Sequence, residues 1–135
     1  MPNTDALTMD AGPDLDAIVE TEVMGKPGCF VDAIAINGQW VVARTWLPEG
    51  YEPHKPPGGW SAGVMPPHYS TDIAYAWRVV ERLRAKHPFR LRDLDGPPSG
   101  SWRALFEYGL SDIVGGGATA PLAIVRAALA TVRAG

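Results

Sequence analysis

Cysteine is almost missing from this chain of 135 residues. Cys29 stands alone, so no internal disulfide can form and nothing demands an oxidising compartment. Histidine is nearly as scarce. His54, His68 and His87 never approach one another or Cys29 at the spacing that puts two ligands on one turn, which argues against a structural zinc site. No apolar run reaches the about 18 residues needed to span a membrane, and no basic-then-apolar leader opens the chain. A basic excess is also lacking: 15 acids against 12 lysines and arginines give a net charge of −3, where nucleic-acid binders are usually basic. Finally, no Gly-x-Ser-x-Gly turn, nucleophile–base pair or cofactor fingerprint can be assembled. The expectation is a protein that is not an enzyme, needs no metal or cofactor, and works in a cytoplasm.

Proline and glycine, by contrast, are plentiful, at 13 and 15 residues, and they separate the periodic stretches. Residues 1–13 are polar and aperiodic and read as a flexible leader to a single domain over 14–135. Asp14 reads as the N-cap of a first helix, whose stripe is Leu15, Ile18, Val19 and Val23, with Asp16, Glu20 and Glu22 off it. Gly25 and Pro27 end it. Apolar and β-branched residues from Cys29 to Leu47, broken by Asn37-Gly38, predict a two-stranded hairpin. The prolines of 48–67 forbid regular structure and make a long loop, of the kind that is usually functional or mobile.

A second helix is expected from Thr71 to Lys86, capped by Ser70 or Thr71. Its stripe of Ile73, Ala76, Trp77 and Val80 would bury Trp77. His87-Pro88 stops it. Phe89–Leu94 and Trp102–Glu107 alternate as two strands about a turn at 95–100. Gly115-Gly116-Gly117 reads as a flexible, glycine-rich turn into a third helix capped by Thr119, with Pro121 tolerated in its first turn. Charge is polarised: Lys26 is the one base before Trp40, whereas Arg78, Arg82, Arg84, Lys86, Arg90 and Arg92 crowd 78–92. These are two solvated faces that complement each other within the fold or between subunits, or else the second is a nucleic-acid face. The order α-β-β-loop-α-β-β-α predicts an α+β layered α-β-α sandwich, with an antiparallel sheet of about four strands and three helices.

Several segments together resemble the phage ABA sandwich domain family. They are Leu15–Val19 leading to Val23-Met24-Gly25, the run Pro67-His68-Tyr69-Ser70-Thr71-Asp72-Ile73-Ala74-Tyr75-Ala76-Trp77 with Val79-Val80-Glu81, the strand Trp102–Phe106, and Ala118–Ile124 with Arg126–Leu129. The match spans most of Leu15 to Val132. It implies a bacteriophage or prophage origin, hence a host-cell cytoplasm, and a layered α-β-α fold; it implies no reaction. Relative to the family pattern, the stretch 29–67 is longer and richer in tryptophan.

The candidate ligand-binding residues follow from two physical arguments. Aromatics in or beside the loop, Trp46, Trp60 and Tyr69, offer stacking surfaces. Ser70 and Thr71 at the second helix, and Gly115, Gly116, Gly117 and Thr119 at the third, offer backbone amides to an anion, with Arg92 adding charge. That pairing suits a nucleotide-like small molecule. The expected function is a non-catalytic phage protein that neutralises a host factor, an anti-defence protein that sequesters a nucleotide-like signal or blocks a defence protein. A nucleic-acid accessory protein using the basic 78–92 face is the alternative. A homo-oligomer is compatible with both.

Overall fold

A computed structural model describes residues 7–93 and 101–135. The first six residues of the expected leader and the expected turn at 95–100 lie outside them. The described elements run α1 (Pro13–Glu22), β1 (Gly28–Ile36), β2 (Gln39–Pro48), α2 (Ile73–Leu83), β3 (Phe89–Asp93), β4 (Trp102–Tyr108), β5 (Ser111–Gly117) and α3 (Ala120–Ala134). The strands form two antiparallel sheets, β1-β2 and β3-β4-β5.

The layered α+β sandwich is as the sequence predicts, with α3 at its centre. That helix packs against β4 and β5 and also against α2 and α1. Its sequence explains why: apolar residues and alanines surround it almost completely, and Pro121–Val125, Ala127–Leu129 and Thr131 are all buried. A helix apolar on most sides must be covered on most sides. Thr119 caps it as expected, its Oγ1 accepting from the Leu122 amide at 3.4 Å.

The stretch 111–117 departs from expectation. Gly115-Gly116-Gly117 is the end of strand β5, in register with Ala104, Arg103 and Trp102 of β4. The physical reason lies across the layer. A Cβ on Gly115 would sit 2.2 Å from the Ala127 amide nitrogen, and one on Gly117 3.0 Å from the Ala123 nitrogen. Glycine is there so that the backbone of α3 can press onto the strand, a close approach that also weakens the sequence signal for a strand.

Helix α2 buries a different face from the one expected. Ala76, Val79 and Val80 are buried, whereas Trp77 is 41% exposed. The core row is Ala76-Val79-Val80-Leu83, and Trp77 lies on its shoulder, edge-on to Phe89 at 5.8 Å with its indole N–H donating to Glu81 at 3.0 Å. The N-cap is Asp72, accepting from the Ala74 amide at 2.8 Å; Ser70 and Thr71 do not cap it. At α1 the N-cap is Gly12, and Asp14 sits in the first turn, where it pairs with Arg44 of β2. Gly25 closes α1 in the left-handed region, φ 70°, while Met24 and Lys26 donate back to Val19 and Glu20.

The hairpin turns as predicted at Asn37 (φ 52°) and Gly38 (φ 79°), both in the positive-φ geometry of a two-residue turn. The loop 48–67 is docked on both edges of this ribbon: Ala35 N–H donates to Pro53 O at 2.9 Å, and Trp46 N–H to Val64 O at 2.7 Å. The Gly63 amide adds a bond to Thr45 Oγ1 at 2.9 Å. Outward-facing backbone groups of a two-stranded ribbon need such partners, because the ribbon alone is marginally stable.

Candidate functional site

The residues singled out from the sequence fall in separate places. Trp46 is buried, its ring lying where a Cβ on Gly28 would be, 2.7 Å from Cζ2, and edge-on to Phe30 at 5.2 Å. Arg44 covers the other side of Phe30, 3.8 Å from its centroid. Trp60 lies in the loop, tilted against Tyr51 at 6.5 Å. A cavity of about 360 Å³ beside it is lined by Ala35–Gly38 and His54–Trp60, with no contribution from β5. Gly115 and Gly117 face α3, so the loop tryptophan and the glycine stretch do not line one cavity. Arg92 is exposed on β3, directly opposite Arg103 of β4.

Tyr69 and Ser70 do come together, but with acids that the sequence placed off the buried stripe. Asp16 and Glu20, one turn apart on α1, are both buried. Ser70 N–H donates to Asp16 Oδ1 at 2.7 Å, and Ser70 Oγ accepts from the Gly12 amide at 2.9 Å. Tyr69 O–H donates to Glu20 Oε1 at 2.7 Å. Burial pushes the Asp16 carboxyl above its usual range, and hydrogen bonding from Ser70 only partly offsets it. Burial, reinforced by the bond to Glu20, likewise holds the Tyr69 hydroxyl in its neutral form. With Asp16 only 1% exposed, this cluster is a joint between α1 and the segment entering α2, closed to an incoming ligand. Thr71 beside it is exposed.

Two features not singled out from the sequence are better placed for binding. The first is one face of the hairpin. Register pairs Ala33 with Val42 and Ala35 with Trp40, and alternation puts these four side chains on the same side. Trp40 is 61% exposed and Val42 87%, whereas Ile34, pointing the other way, is fully buried. The run Trp40-Val41-Val42 is apolar on both sides of the strand, so the sequence did not show which side would be left in solvent.

The second feature is a cleft of about 610 Å³ where α1, α2 and α3 all end beside the β4–β5 turn. Arg82, Lys86, His87 and Tyr108 line it, with Glu22 at its rim. The His87 ring stacks flat on Tyr108, centroids 5.3 Å apart and planes within 6°. Arg82 is fixed by its Nε donating to Val23 O at 2.7 Å. Three helix C-termini turn their carbonyl ends toward this cleft, and the basic side chains offset that negative potential. Among the described residues, no group of three or more histidines, cysteines or acids is arranged to hold a metal ion, and no helix is long and apolar enough to cross a membrane.

The fold is shared with a known protein. A phage protein from Bacillus cereus ATCC 14579, with a crystal structure at 2.0 Å, superposes with a TM-score of 0.55 at 23% sequence identity, over 89% of this chain and 91% of that one. No curated protein matches the sequence. The family described as the phage ABA sandwich domain matches residues 33–129, from the middle of β1 to the last turns of α3. The chain belongs to the phage ABA sandwich domain family.

Proposed function

We propose that this protein is a non-catalytic phage factor that neutralises a host defence by blocking a protein, which it engages with the exposed face of β1–β2. The observation that carries the reading is Trp40 and Val42, exposed side by side with Ala33 and Ala35 on a ribbon whose other face buries Ile34. Tryptophan in a contiguous apolar patch is a typical anchor of a protein–protein hot spot. The basic 78–92 stretch supports a nucleic-acid role less well. Arg82 is held by Val23 O, Arg84 pairs with Glu81 and Arg90 with Glu107, while Arg78 lies over the Tyr75 ring. Few free cations are left there to meet a phosphate backbone.

A second reading rests on the helix-terminal cleft. Its volume falls within the range of small-molecule sites, and a flat His87–Tyr108 stack beside Arg82 and Lys86 suits a nucleotide-like signal that the protein would sequester unchanged.

The test uses the tagged chain and a variant carrying Trp40→Ser and Val42→Ser, each incubated with extract of a host that encodes defence systems. The protein-blocking reading predicts one partner retained by the native chain and lost by the variant, with protection of the phage lost in parallel. Identical captures, together with a nucleotide released intact on heating and lost in an Arg82→Ala chain, would replace it with the sequestration reading.

A further inference from the structure

The β3-β4-β5 sheet has one face on α3 and another facing solvent. Register and alternation place Arg92, Arg103 and Gly116 in one row of that outer face, Arg90, Leu105 and Val114 in the next, and Glu107 with Asp112 in the third. Like charges thus stand directly opposite each other twice: Arg92 with Arg103 at one end, Glu107 with Asp112 at the other. Cross-strand like-charge pairs destabilise a sheet. Arg90 relieves one of them by pairing with Glu107 at 2.6 Å. Arg92, Arg103 and Asp112 have no ion-pair partner among the described residues. Between the charged ends the middle row holds Arg90, already paired with Glu107, beside two apolar residues, Leu105, half-buried, and Val114, 45% exposed.

We propose that this face binds a second copy of the chain, through a two-fold axis lying across the strands over Leu105. The argument is the charge pattern itself. Such an axis turns the basic end of one copy onto the acidic end of the other, so both like-charge pairs are relieved by the same operation, as an isologous interface requires. Arg103 comes over Glu107 of the second copy. Asp112 comes over Gly116 of the second copy, where the missing side chain leaves room for the neighbouring arginine to reach it. Leu105 and Val114 meet their own counterparts at the centre, and Arg90, whose charge is already taken up by Glu107 of its own chain, stands over its own counterpart at the edge of that row.

The size of the face sets the strength. Three strands about 4.8 Å apart, with seven residues rising about 3.3 Å each, give a footprint of roughly 330 Å² per copy. A standard stable interface buries about 800 Å² per partner. The dimer is therefore weak, and because its contacts are charged at the edges it is weakened further by salt.

Sedimentation equilibrium of the full chain over a range of concentrations, at low and high salt, tests this. The expected result is a monomer–dimer equilibrium at low salt that shifts to monomer at high salt. Arg103→Glu and Asp112→Arg, both at exposed positions, should each raise the dissociation constant about tenfold or more by setting like charges against each other. Mixing the two variants should restore a heterodimer, because each then supplies the charge the other lacks. A Trp40→Ser chain should dimerise like the native one, which separates this surface from the hairpin. A chain that stays monomeric at the highest reachable concentration in low salt overturns the proposal. So does a dimer that neither salt nor the two charge reversals weaken.

Discussion

The two sheets of this protein treat apolar surface in opposite ways. Against α3, the β3-β4-β5 sheet carries Ala104, Phe106 and Gly115 into full burial, and the helix lies so close that one strand position tolerates no side chain at all. The β1–β2 ribbon carries as many large apolar residues, yet leaves Trp40 and Val42 in solvent and is tied down by a proline-rich loop through backbone bonds at its edges. The main core cluster lies in the first region, where buried area is converted into folding free energy. The second can present bare apolar side chains because the fold does not depend on them. Segments of this kind, held by a rigid scaffold but not needed for its core, are where binding residues concentrate.

The largest effect that would break this contrast is at Gly115. Gly115→Val places a side chain 2.2 Å from the backbone nitrogen of Ala127, and a helix backbone cannot step aside as a side chain can. We expect a loss of about 3 kcal/mol or more, read from urea unfolding. Gly116→Val is the matched control: the nearest atom to its Cβ is Trp102 O at 3.7 Å, an ordinary contact, and valine favours a strand. Its stability should stay within about 1 kcal/mol of the native chain. Equal losses at the two glycines would mean that close packing of α3 is not why this strand is glycine-rich.

The joint between α1 and the entry to α2 should show intermediate effects. Tyr69→Phe leaves buried Glu20 Oε1 without its donor, which should cost about 1–3 kcal/mol in the same unfolding measurement. Asp16 acts through pH. Its carboxyl is held above the ordinary 3.8 by burial, so the folded chain binds that proton more tightly than the unfolded chain does. The stability it contributes is present below the unfolded value and is lost as pH rises through the raised folded one. Asp16→Asn cannot ionise, so the difference in unfolding midpoint between native and variant chains should grow in the variant's favour across that window. A difference that is flat with pH would mean that Asp16 is solvated in the folded state.

How much of this could be read from the sequence depended on whether the signal was local. Asn37-Gly38 specifies its turn through its own backbone preferences, and Thr119 caps α3 from three residues away, so both were legible. The face of α2 was not. Its apolar residues cover more than one stripe, and only the position of α3 decides that Ala76 and Val79 go inward while Trp77 is left on the shoulder. The same holds for Asp16 and Glu20, whose burial makes sense only once Tyr69 and the Ser70 amide arrive to meet them from more than forty residues away. At 115–117 a local signal pointed the wrong way, because glycines needed for helix packing look the same as glycines in a loop. The candidate site suffered most, since the proposed aromatics and amides were each plausible singly and their meeting was a matter of tertiary placement.

The smallest expected effect is the one that sharpens the comparison most, because it sets two tryptophans of one strand against each other. Trp46 is buried beside Gly28 and Phe30, and Trp46→Ala should cost about 3–5 kcal/mol, as for other buried large aromatics. Trp40, six residues earlier on the same strand, has most of its ring in water already. Trp40→Ser together with Val42→Ser should therefore shift the unfolding free energy by no more than about 0.5 kcal/mol, measured in the same denaturant series. The reasoning is one of reference states: a side chain exposed in both the folded and unfolded chain contributes little to the difference between them. If the pair costs as much as Trp46→Ala, the domain covers that face itself, and an anchor for a host protein must be sought elsewhere. A small shift leaves Trp40 and Val42 as apolar side chains the fold does not need, on a surface where only a partner could bury them.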